Sequence, residues 1–184
     1  MPLRATVTFT TLLLLVLSLA ACSDPSDAIP PALADLHQRA SAGDASAQLE
    51  LGLHYVTGTG IPPDEQAALR WIRKAAAQGH AAALFELGSY YILEPHRDFE
   101  RAAGLLRQSA LQGFAPAQSS LAVLYLVGQG VPKDRIEAYA WLGLAAEQGE
   151  RDALEGQPSL QAELSDGELQ QAWQRAQQYR QGPL

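Results

Sequence analysis

Four histidines, one cysteine and twenty acidic residues are the side chains of this 184-residue chain with which metal binding, nucleophilic attack or acid–base work could begin. The histidines are His37, His54, His80 and His96, scattered along the chain without a His-x-x-x-His pair. Zinc sites draw on close-spaced pairs of ligands, which this pattern does not supply. Cys22 is the single thiol, so an internal disulfide cannot form. The segments G-T-G-I-P-P (58–63) and G-Q-G-V-P-K (128–133) carry glycines like those of phosphate loops. Both lack the third glycine or the Gly-Lys-Ser/Thr ending that such loops need. No G-x-S-x-G elbow occurs. The adjacent acids Asp64 and Glu65 read as first-turn helix acids rather than an acid–base pair. These residue types assemble no nucleophile, base and acid, so the chain is expected not to be an enzyme and to need no metal or other cofactor.

The elements that hold these residues repeat. Units open at Gly43, Gly79 and Gly113, and a further glycine stands at Gly149, giving periods of 36, 34 and 36 residues. Each unit places a small residue four after its glycine (Ala47, Ala83, Ala117) and leucine at eight (Leu51, Leu87, Leu121). A small residue follows at nine (Gly52, Gly88, Ala122) and tyrosine at twelve (Tyr55, Tyr91, Tyr125). Intervals of four, eight and twelve keep to one side of a 3.6-residue helix, so this is a buried stripe. Glycine within a helix costs on the order of 1 kcal/mol against alanine, so its recurrence predicts close approach of a neighbouring helix. A Gly/Pro loop then ends the first helix, and Asp64, Asp98 and Asp134 are placed to start the second. In that second helix Trp71, Leu105 and Trp141 share one repeat position, read as core. The middle unit has Leu93-Glu94-Pro95-His96-Arg97 in place of G-x-G, read as a trimmed loop.

The pattern A-x-x-x-L-G-x-x-Y-x-x-G-x-G-(I/V)-P-x-D, followed by A-x-x-W and A-A-x-Q-G, resembles the Sel1-like repeat, a relative of the tetratricopeptide repeat. The resemblance covers 43–149, as units 43–78, 79–112 and 113–149. It implies an all-α fold, a right-handed α/α superhelical solenoid of helix pairs with capping helices. It also implies the family's usual role as an adaptor between proteins, commonly at bacterial envelopes. Residues 32–42, with Leu33, Leu36 and Ala40 on one side, read as an N-terminal capping helix. Residues 150–184 read as C-terminal caps, two helices over 151–164 and 168–181, with Ser165 and Glu168 at capping-box spacing. The last helix aligns Leu169, Ala172, Trp173, Ala176 and Tyr179 as its apolar stripe.

The amino end carries a separate signal. Arg4 precedes an uncharged run over 5–21 that includes five leucines and a valine in succession, too short for a stable span and read as a signal peptide. It ends in Leu19-Ala20-Ala21-Cys22, which resembles a bacterial lipobox. That resemblance implies removal of residues 1–21, a diacylglycerol on Cys22 and a fatty acyl chain such as palmitate on the new amine. Two or more chains hold a bilayer stably where one does so marginally. Ser23 rather than aspartate after the cysteine implies, by the same likeness, the periplasmic face of the outer membrane. Residues 22–31 then form a polar, proline-bearing tether.

Loss of residues 1–21 removes one basic group, Arg4, and no acid, leaving 12 basic and 20 acidic residues. Such a chain lacks the cationic field that neutralises phosphates, so nucleic acid is not an expected partner. By analogy with tetratricopeptide repeats, the first helix of each unit lines the inner surface. The expected partner-binding residues are Leu49, Leu53 and Val56 in the first unit, Phe85, Ser89 and Ile92 in the second, and Ser119, Val123 and Leu126 in the third. An aliphatic groove of this kind suits an extended peptide or amphipathic helix. The sequence thus reads as a lipid-anchored envelope adaptor whose partner is another envelope protein or peptide. The alternative is a periplasmic enzyme or binder of cell-wall fragments, distinguished by whether acids and histidines of different units meet in one cleft.

Overall fold

The structure, a computed structural model, describes residues 30–181. The apolar run, Cys22 and all but the end of the tether lie outside the described residues. Among those described, a 3₁₀ turn (Pro31–Leu33) leads into nine α-helices and no strand. They are α1 (Ala34–Ser41), α2 (Ala45–Thr57), α3 (Glu65–Ala77), α4 (Ala81–Tyr90), α5 (Phe99–Leu111), α6 (Ala115–Val127), α7 (Arg135–Glu147), α8 (Arg151–Ala162) and α9 (Asp166–Arg180). Each helix from α1 to α7 packs on its successor, so the pairs α2–α3, α4–α5 and α6–α7 stack in sequence.

Local chemistry sets the helix ends. Asp64 accepts from the Ala67 amide at 2.9 Å, Asp98 from Arg101 at 3.0 Å, and Asp134 from Ile136 and Glu137 at 2.9 and 3.0 Å. These carboxylates satisfy amides that the first turn leaves without partners. Each loop between paired helices is closed by one repeated bond, in which the capping aspartate's amide donates to the tyrosine carbonyl twelve residues into the unit. The distances are 3.1 Å for Asp64 to Tyr55, 2.8 Å for Asp98 to Tyr91 and 3.0 Å for Asp134 to Tyr125. The trimmed loop of the middle unit keeps this closure. The unit-opening glycines Gly79, Gly113 and Gly149 follow helix ends at φ of 79°, 84° and 81°, the left-handed cap that glycine adopts without strain.

The small-residue stripe marks where helices approach. A Cβ on Gly52 would stand 2.7 Å from Ile72 Cγ1 and 3.2 Å from the Ala68 carbonyl oxygen. On Gly88 it would stand 3.0 Å from Leu106 Cγ. Leu51, Leu87 and Leu121 are buried, as are Tyr91 and Tyr125. Two glutamine pairs join successive helices across the seams. Gln78 Nε2 donates to Gln48 Oε1 and Gln148 Nε2 to Gln118 Oε1, each at 2.8 Å. Gln48 and Gln118 in turn donate to the carbonyls of Ala40 and Ala110.

The two tryptophans diverge. Trp141 is buried and stacks on Tyr179 at 4.1 Å. Trp71 is only half-buried, against a cluster that includes Leu33, Leu36 and Leu51, with the Lys74 ammonium over its ring. The core reading of Trp71 is therefore corrected to a partly covered position at the start of the stack.

The carboxy-terminal helices depart from the repeat. A regular unit would set α9 on α8, but α8 and α9 both pack on α7 instead. Helix α8 contains Gly156 and Pro158 and buries only Ala153 and Leu160, so it offers little apolar surface to a partner. Helix α9 buries Ala172 and Ala176, and Arg175 reaches Asp134 and Glu137 at 2.9 and 3.0 Å. Tyr179 donates to Glu137, and Arg180 pairs with Glu147. Trp173, expected in the buried stripe, is instead 62 % exposed, because α9 turns its Ala172–Ala176 edge to α7. Ser165 and Glu168 form the expected capping box, and α9 starts at Asp166.

Candidate functional site

The nine residues expected to bind a partner fall into three groups. Val56 and Val123 are more than half exposed, and Val127, one turn beyond Val123, joins them. Leu53, Phe85, Ser89, Ile92 and Leu126 are half-buried. Phe85 packs against Phe114 with ring centroids 5.4 Å apart, and Ile92 and Leu126 rest on the core. Leu49 and Ser119 are buried. Leu49 belongs to the cluster of Ile72, Leu84 and Leu87, where the second unit stacks on the first. These two are corrected to packing positions, since no partner can reach them in the folded chain.

A cleft of about 420 Å³ opens beside Val56, between α2, α3, α4 and the loop after α4. Its wall is largely apolar, with Leu69 and Ile72 from α3 and Leu93 and Pro95 from the loop. Leu93 is 63 % exposed there. The trimmed loop of the middle unit thus builds one side of a cavity, a role beyond that of a shortened turn.

Polar groups of two units meet at the rim. Tyr90 Oη donates to Glu65 Oε1 at 3.2 Å, and His96 Nε2 lies 3.1 Å from the same oxygen. The Tyr90 and His96 rings stack at 4.2 Å, which fixes the loop against α4. Glu94 pairs with Arg97 at 3.0 Å. Glu86, half-buried on α4, also lines the cleft and forms no ion pair or side-chain hydrogen bond among the described residues. Burial pushes its carboxyl above the ordinary value, because desolvation disfavours the charged form.

The other histidines are held elsewhere. His80 caps α4, accepting from the Ala83 amide at 3.4 Å, and His54 Nδ1 meets the Thr59 carbonyl at 2.6 Å. His37 stands edge-on to Trp71. Of the four, His96 alone lines the cleft.

A family model, "Sel1 repeat", matches residues 45–80, 81–114 and 115–150, each match starting two residues after the unit's glycine. Among solved structures, a Sel1 repeat protein from Oxalobacter formigenes is similar at 35 % identity with a TM-score of 0.65, covering 70 % of this chain and 98 % of that one. A protective antigen present in uropathogenic Escherichia coli strains, displaying an SLR fold, is similar at 39 % identity and a TM-score of 0.63, over 66 % of this chain and 26 % of that one. Two curated relatives are similar in sequence. The chitin synthase regulator SKT5 of Malassezia restricta is 32 % identical over 124 residues, 64 % of this chain. An uncharacterized protein of Neisseria meningitidis serogroup B is 38 % identical over 96 residues, 51 % of this chain. The matched regions span only 8 % and 20 % of those two relatives. With three repeats matched in tandem and helix pairs stacked in the same order, the chain belongs to the Sel1 repeat family.

Proposed function

We propose that this protein is a non-catalytic adaptor of a bacterial envelope, tethered by lipid on Cys22 and holding another envelope protein or peptide on its helical-repeat surface. The observation that carries the reading is that first helices of two stacked units leave aliphatic side chains more than half exposed, Val56 on α2 and Val123 and Val127 on α6. Val56 stands beside an apolar cleft, and an exposed aliphatic side chain at the edge of such a concavity supports an interaction surface. The lipobox-like Leu19-Ala20-Ala21-Cys22 supports the anchor, and Ser23 supports the outer membrane.

The test compares affinity purification from envelopes of the tethered protein with that of a Val56→Asp/Val123→Asp variant. Both positions are exposed, so the variant keeps the wild-type helical circular dichroism and loses its partner. Retention of every partner sinks the reading. Phe85 is unsuitable for this purpose, because its packing against Phe114 would confound unfolding with lost binding.

A specific observation favours a second reading, a binder or hydrolase of cell-wall fragments. Glu65 of the first unit and Glu86 and His96 of the second line one cleft, and the Glu86 carboxyl is raised as a proton donor's would be. Against it, Glu65 is already engaged by Tyr90 and His96, and its side chain is 64 % exposed. Release of soluble fragments from purified peptidoglycan, abolished by Glu86→Gln, would establish this reading over the adaptor.

A further inference from the structure

We infer that the cleft between α2, α3, α4 and the 91–98 loop is the anchor point of the adaptor surface, and that it selects a basic–aliphatic segment of the partner polypeptide. The inference rests on the adaptor reading and adds the chemistry of its partner. Two features of the cleft converge on that occupant. The apolar wall of Val56, Leu69, Ile72, Leu93 and Pro95 accepts aliphatic side chains, including the methylene stem of a lysine or arginine. Its volume of about 420 Å³ falls within the range of pockets that enclose a ligand.

Charge then decides the sign of the guest. Three carboxylates, Glu65, Glu86 and Glu94, line the cleft. Glu94 is answered by Arg97, and Glu65 by Tyr90 and His96. Glu86 is answered by nothing among the described residues. A half-buried carboxylate left alone carries a desolvation cost that an incoming ammonium or guanidinium offsets, whereas an acidic guest adds to it. The His96–Tyr90 stack holds Pro95 and Leu93 in place, so the aliphatic wall exists before the guest arrives. A preformed wall lowers the ordering cost of binding. The overall surplus of acids over bases works in the same direction at longer range, speeding encounter with a cationic segment.

The probes are two synthetic, fluorophore-labelled octapeptides, one alternating leucine and lysine, the other alternating leucine and glutamate. Anisotropy titrations use the full-length protein without its lipid, the Glu86→Gln variant, and the Val56→Asn variant. The lysine peptide binds the parent protein at least about tenfold more tightly than the glutamate peptide. Glu86→Gln, which keeps the side-chain shape, weakens the lysine peptide about tenfold, and Val56→Asn, which adds no charge, weakens it through the wall. Equal binding of both peptides overturns the charge selection while leaving the apolar surface intact. Failure of the lysine peptide to bind, or binding unchanged by Glu86→Gln, overturns the cleft as the anchor. The envelope purification described above tests the adaptor role independently of these titrations.

Discussion

Alanine at three of the helical glycines, Gly52, Gly88 and Gly104, separates close approach from helix propensity as the reason for each glycine. All three lie inside helices, so each substitution gains on the order of 1 kcal/mol from reduced backbone entropy. What opposes that gain differs. At Gly104 the new methyl meets nothing within 4 Å, and the net effect is a stabilisation of about 1 kcal/mol. At Gly88 it would press on Leu106 Cγ at 3.0 Å and Cδ2 at 3.2 Å, and Leu106 is fully buried with little room to turn. At Gly52 it meets Ile72 Cγ1 at 2.7 Å together with the Ala68 carbonyl oxygen at 3.2 Å and the Ile72 nitrogen at 3.3 Å. Two of those three atoms are backbone, so α3 itself must shift. Overpacking costs about 1–3 kcal/mol, which leaves Gly52→Ala destabilised by up to about 2 kcal/mol and Gly88→Ala between neutral and mildly destabilised. Urea unfolding followed by far-ultraviolet circular dichroism should rank Gly104→Ala first, the parent at or above Gly88→Ala, and Gly52→Ala last. In thermal unfolding each 1 kcal/mol should read as about 2–4 °C for a chain of this size. A Gly52→Ala variant as stable as Gly104→Ala would refute the account of glycine as the clearance between α2 and α3.

Further outcomes follow from the same geometry. Trp141→Ala should cost about 3–5 kcal/mol in urea unfolding, whereas half-buried Trp71→Ala should cost distinctly less; equal losses would contradict the divergence of the two sites. Asp134 is desolvated by burial, but the Glu137 amide, Arg175 and the Ile136 amide outweigh this and hold its carboxyl below the usual carboxylate range. A pKa lower when folded than when unfolded gives stability that is present above the unfolded value, about 3.9, and is lost as pH falls through the folded one. Asp134→Asn should therefore flatten the acid limb of stability below about pH 4, measured by urea midpoints across pH. Gly130→Ala should unfold more readily than Gly60→Ala, because its methyl would fall 2.0 Å from the Phe99 carbonyl oxygen against 3.8 Å from Leu33 Cδ1. Cys22→Ser should move the protein from the detergent phase to the aqueous phase in Triton X-114 partitioning, and unchanged partitioning would remove the lipid anchor.

What recurs in the sequence is readable there, and what occurs once is not. Gly52 and Gly88, the capping aspartates and the glycine-ended helices announce themselves by returning at fixed intervals, because each unit solves the same packing problem. Burial of Leu49 and Ser119 escapes that logic, since spacing places a residue on a face without saying whether the next unit covers it. The cleft is hidden for a related reason. Leu93-Glu94-Pro95-His96-Arg97 breaks the repeat, and only folding shows that His96 reaches back to Glu65 and that Leu93 and Pro95 become a wall. A segment that departs from its sister units is itself the available signal. The glutamine pairs carry a periodic signal of their own: Gln48 and Gln118 share one position, and Gln78 and Gln148 another. The exposure of Trp173 has no local signature, because it follows from α9 resting on α7 rather than on α8.

That resting place bears on how the stack could grow. A neighbour adding to the series in register would have to lie along α8 as α3 lies along α2, yet α8 contains Pro158, buries only Ala153 and Leu160 and leaves Leu154 exposed. Meanwhile the Arg175 and Tyr179 latch keeps the last helix folded back on its predecessor but one. The register of the helix ladder ends at that point, so any surface that recurs with the repeat reaches no further than α7.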